Sequence, residues 1–185
     1  MTPRIGSAAP GGLTPAELLR ADQPLPGGEP SGADPLADDD ALDGARVLDV
    51  RMDPGAATGA VLFDLRESVA YPTASAGLLV VRGVREFPYA VAGPDAVSGP
   101  VSVVSSTPID GDDAFALRIG TAPYASVLLG GESAEFHVLD VPTMQPADGE
   151  HLDGERAVSG RPLPGWDTEC TVLSVFHRKR SAGPA

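Results

Sequence analysis

At 185 residues the chain has the length of one domain with appendages, and its 42% hydrophobic residues suffice for a core. A net charge of −13 excludes the basic surface that a nucleic-acid backbone demands, and it favours a basic protein partner. The single cysteine, Cys170, excludes an internal disulfide framework. With no positively charged, apolar leader and no apolar run near the ~20 residues that cross a bilayer, the expected location is cytoplasmic, away from membranes.

Residues 1–44 hold seven Pro, seven Gly and a local net charge of −6. A short helix is predicted over 14–21. Thr14 can cap it, Pro15 suits the first helical position, and Glu17 can close a capping box. Pro24 stops it, and about two turns are too few to persist alone. From Gly27 to Leu42 large apolar residues are scarce, so a largely disordered acidic arm is expected. Asp38, Asp39 and Asp40, with Asp34 and Asp43, read first as a solvated linker and second as a docking strip for a basic partner.

Residues 45–141 form the domain, also at −6, and carry seven apolar bursts separated by turn residues. Leu48, Val50 and Met52 alternate with Asp49, Arg51 and Asp53, and Asp53-Pro54-Gly55 is a turn. Val61, Phe63 and Leu65 answer against Asp64 and Arg66, which predicts one buried and one wet face. Leu78 to Val81 is apolar on both faces and therefore central. Gly83 reads as a bulge in a strand that runs on to Phe87 and stops at Pro88. Further strands follow at Val101 to Ser105, around Phe115, Leu117 and Ile119, at Ala125 to Leu129, and at Phe136 to Val141. Sequential hairpins predict an all-β antiparallel meander of seven or eight strands, forming a sandwich or open barrel. Residues 142–185 begin as polar loop. Trp166 is the expected anchor of a segment that folds back, with Thr171 to His177 as an eighth strand.

Chemistry is sparse. Asp110, Asp112 and Asp113 lack the spacing of a calcium loop, and Asp110-Gly111 is a common hairpin turn. His137, His151 and His177 are dispersed, and His137 is expected on the wet face, opposite in direction to Phe136 and Val138. Cys170 and His177 would lie roughly 23 Å apart along a strand, so an inert buried thiol is the simpler reading. No serine sits in a nucleophile elbow, and Gly130-Gly131 lacks the setting of a phosphate cradle. The run from His177 to Arg180 reads as a locally charge-balancing tail. No catalytic set, metal site or cofactor is expected.

The outward arginines stand out. Arg51, Arg66, Arg82, Arg85 and Arg118 are interleaved with carboxylates over four strands. Cross-strand pairing is the plain account. A polar face that grips a protein is the functional one, because Arg is enriched at interface hot spots. The candidate partner-binding residues are therefore Arg51, Arg66, Arg82, Arg118, Asp38, Asp39 and Asp40.

The positions Val47, Val50, Asp53, Leu62, Asp64, Gly83, Val84, Phe136, Val138 and Asp140 resemble a group of small bacterial β-proteins. Uncharacterised actinobacterial proteins and immunity proteins of polymorphic-toxin systems belong to that group. The likeness spans residues 45–141, and the second strand departs from it in register. It implies a non-enzymatic protein that binds and neutralises a toxin domain, and it carries over no site residues. The rival expectation is a small apolar-ligand binder with a pocket lined by Phe63, Phe115 and Phe136.

Overall fold

The computed structural model describes residues 12–21, 32–85, 89–91, 100–110, 114–122, 125–142 and 163–179. In chain order these give α1 (Pro15–Arg20), β1 (Arg46–Asp53), β2 (Thr58–Asp64), β3 (Ala76–Arg82), β4 (Tyr89–Val91), β5 (Val101–Asp110), β6 (Phe115–Ala122), β7 (Ala125–Gly131), β8 (Ser133–Asp140) and β9 (Thr171–Lys179). The fold is all-β and antiparallel, one sheet in the order β4-β7-β6-β5-β1-β2-β3-β8-β9. The expected strands are present, the eighth among them, and Tyr89–Val91 adds one that sequence patterning missed.

Hairpins link β1–β2–β3 and β5–β6–β7 in sequence, as a meander should. The halves then join through non-sequential pairs, β1 with β5 and β3 with β8. The β1–β5 seam is only two residue pairs long, at Arg46 and Val47. At the other side a single residue, Glu132, separates β7 from β8, so one long strand bends and serves both halves. The Glu132 N–H donates to the Arg82 carbonyl at 2.9 Å, and the Arg85 N–H donates to the Gly130 carbonyl at 3.0 Å. Gly131 permits this approach, because a Cβ there would lie 2.6 Å from Val81 Cγ1 and 2.7 Å from the Arg82 carbonyl oxygen. The sheet thus curls until the end of β3 meets the β7–β8 corner.

The curl creates an inner face. Phe63 from β2, Leu79 and Val81 from β3, Leu117 and Ile119 from β6, Leu129 from β7 and Phe136 from β8 share one cluster. Phe136 lies at its centre, with ring centroids 6.0 Å from Phe63 and 5.9 Å from Tyr71. On β6 the burial pattern alternates with period two, and Arg118 faces out.

β2 departs from expectation, because all seven of its residues are buried and it has no wet face. Its outer side carries a second cluster in which Ala60, Leu62, Leu78 and Val80 meet Ala16 and Leu18 of α1, with Trp166 and Cys170. This burial explains why so short a helix stands. The predicted cap is in place: Thr14 Oγ1 accepts from the Glu17 N–H at 3.3 Å, and the Glu17 carboxylate accepts from the Thr14 N–H at 2.9 Å. The Ala16 N–H donates to the Trp166 carbonyl at 2.9 Å, so the C-terminal segment folds back onto α1.

Three further local expectations are corrected. β1 does not alternate cleanly, because a bulge between Val47 and Asp49 sends Leu48 to the outer cluster while Val47 and Val50 pack inward. The third strand does not run through Gly83. It ends at Arg82, and Gly83 turns the chain at φ +61°. The acidic arm is not disordered over residues 32–44. It forms successive turns with Leu36 and Leu42 fully buried. Two leucines in a Pro/Asp-rich stretch are enough when each meets the core. Gly27 to Ser31, residues 86–88, Gly111 to Asp113, His151 and Arg180 lie outside the described residues.

Candidate functional site

The outer face is where the polar groups gather. Its period-two positions include Asp49, Arg51 and Asp53 on β1, Thr58 on β2, Arg82 on β3, and Glu135 and His137 on β8. α1 and residues 163–170 cover the middle of this face. Where α1 ends, a cleft of about 560 Å³ opens against the β1–β2 turn. It is lined by Arg20, Arg51 and Arg82, by Asp53 and Thr58, and by the apolar Leu19, Met52, Pro54 and Ala56.

Each arginine is held differently. Arg51 stacks over Trp166, its guanidinium carbon 4.4 Å from the ring centroid, and its Nε lies 3.9 Å from Asp49. Trp166 is fixed in turn, its indole N–H donating to Asp49 Oδ2 at 2.6 Å. Arg82 donates from Nη2 to the Ala21 carbonyl at 2.6 Å, pinning the end of α1, and sits 3.7 Å from Glu135. Arg20 is exposed and has no ion-pair partner among the described residues.

Behind Arg82 the charge chain runs inward. Glu135 is buried, and its Oε2 lies 3.4 Å from His137 Nε2. Burial pushes the Glu135 carboxyl up, but His137 and Arg82 together outweigh it and hold the group below its ordinary value. His137 is not on a wet face as expected. It is 1% exposed, because the outer side of β8 is covered, and neither ring nitrogen has a hydrogen-bond partner among the described residues. Without solvent access the His137–Glu135 pair is poorly placed to act on a substrate. Cys170 is also buried, and burial followed by the charge of Glu17 pushes its thiol up to about 11. At neutral pH it is a thiol and not a nucleophilic thiolate.

The sequence-predicted binding residues separate into four groups. Arg51 and Arg82 meet in the cleft. Arg66 does not face outward to a partner. It is bound bidentately to Asp64, with Nε and Nη2 donating at 2.8 and 2.7 Å, and its side chain is only 6% exposed. Arg118 is exposed on β6, outside the cleft. The aspartates of the arm lie elsewhere, each in a different setting. Asp38 accepts from the Asp34 N–H at 2.9 Å, and Asp40 accepts from the Ser106 N–H at 3.2 Å, while Asp39 is exposed. Asp40 thus ties the arm to β5, and none of the three lines the arginine cleft. Arg20 was missed because a basic residue in the last helical turn has a sufficient local reason to be there.

Comparison with protein-family models, curated proteins and solved structures gives no match. No helix among the described residues is long and apolar enough to cross a membrane.

Proposed function

We propose that the chain is a non-catalytic protein-binding module whose binding face is the outer end of β1, β2 and β3. The observation that carries this reading is the convergence of Arg20, Arg51 and Arg82 on one open cleft. Arginine anchors beside an apolar wall are a usual composition of an interface centre. The buried state of His137 and the suppressed ionisation of Cys170 support a non-enzymatic role.

The narrower form of the proposal is an immunity-type inhibitor of a basic toxin domain. It is supported by the net charge of −13, which steers a basic partner from a distance, and by the resemblance of residues 45–141. The apolar-ligand alternative has less support. Phe63, Phe115 and Phe136, which would line its pocket, are packed in the inner core. The test is co-expression with a toxin-type domain encoded beside this gene. Binding and growth protection are expected from the native chain and are expected to fall with Arg51→Glu. A native chain that neither binds nor protects sinks the immunity reading.

A further inference from the structure

We infer that the cleft is a seat for an acidic peptide segment: a carboxylate is taken among Arg20, Arg51 and Arg82, and a neighbouring apolar side chain lies on Leu19, Met52 and Pro54. This deepens the protein-binding reading and rests on it.

The donors are available. Arg51 offers both Nη groups, Arg82 offers Nη1, and the whole Arg20 guanidinium is unpaired among the described residues. Two of the three are already positioned before any ligand arrives, Arg51 by the Trp166 ring and Arg82 by the Ala21 carbonyl. Preorganisation of that kind removes part of the ordering cost of binding. Asp49, Asp53 and Glu135 offset part of the charge. The site therefore suits one carboxylate better than a dense polyanion, which the overall charge of −13 also repels. The mixed lining of arginines and aliphatic side chains matches a strand-like segment that alternates acidic and apolar residues. A cleft of about 560 Å³ holds one or two side chains of such a segment and not a folded domain.

The experiment uses the full chain and three blocked hexapeptides that alternate Leu with Glu, Gln or Lys. Inorganic phosphate is the fourth probe. Binding is read by calorimetry and by backbone amide shifts. The Leu–Glu peptide is expected to bind at least about tenfold more tightly than the Gln and Lys forms, the worth of one charge-assisted contact. It should shift amides of β1, the β1–β2 turn and the end of α1. Arg20→Ala and Arg51→Ala are each expected to weaken it about five- to tenfold, and Arg118→Ala to leave it unchanged. Arg82 is left intact because it holds α1. Equal affinity for the Glu and Gln peptides overturns the inference. So does phosphate binding as tightly as the peptide, since an anion alone then suffices. If the peptides fail while a protein partner still binds, the peptide seat falls and the protein-binding reading stands. If the partner also fails, both fall.

Discussion

The two faces of the β1–β2–β3–β8 region are built on different principles. The inner face is aliphatic and aromatic throughout, centred on Phe63 and Phe136, and it presents no group for chemistry. The outer face mixes Leu62, Leu78 and Val80 with a buried Asp64–Arg66 pair, a buried Glu135–His137 contact and an indole tied to a carboxylate. Apolar packing tolerates many partners, whereas each buried charge requires a particular one. The outer layer therefore fixes where α1 and the Trp166 segment dock, and the cleft inherits its shape from that docking.

The contrast is tested most severely at its two centres. Phe136→Ala should lose about 3–5 kcal/mol in denaturant unfolding, because the ring meets Phe63 and Tyr71 and fills the space over Gly77. Asp64→Ala should lose about 3 kcal/mol by stranding the buried Arg66 guanidinium, while replacing both residues with apolar ones should recover much of that loss. If Asp64→Ala is neutral, the outer face is not charge-specified and the contrast fails. Thr14→Ala should cost about 1 kcal/mol through the lost cap, and amide exchange should quicken over α1 more than over β6.

Two finer tests follow from ionisation. A Glu135 carboxyl held below its ordinary 4.5 stabilises the fold above that pH. The contribution should fade as pH drops from about 4.5 through the lower folded value, and Glu135→Gln should flatten the unfolding midpoint over that acid window. Cys170, with its thiol near 11, should react slowly with a thiol reagent at pH 8 in the native chain and rapidly in urea.

The inner face was legible in the sequence because period-two alternation is a direct record of one-sided burial. β6 shows it without interruption, from Phe115 through Ile119. The outer face was not legible in the same way. Its cover comes from α1 and from residues 163–170, which are remote in the chain from the strands they protect. Arg66 and Arg82 alternate like solvated residues, and nothing local says that one is bound to Asp64 and the other to a helix end. The apolar run Leu78–Val81 did carry the signal, since a strand apolar on both sides needs two covers. The β1 bulge escaped because an extra residue leaves no mark in composition. The arm escaped because only two leucines decide it.

Two parts of the chain that lie far apart in sequence meet at α1. Leu13 bridges to Cys170, and α1 rests on the Trp166 carbonyl. α1 also lies on β2 and β3, through Ala60, Leu62, Leu78 and Val80, so its docking surface is drawn from both the sheet and residues 163–170. With no such surface to bury Leu18, so short a helix has little reason to persist. The arginine cleft, which α1 helps to line, therefore takes its shape only when the helix has docked. A chain cut before residue 163 would lose the Trp166 ring under Arg51 and the carbonyl that holds Ala16, and the cleft with them.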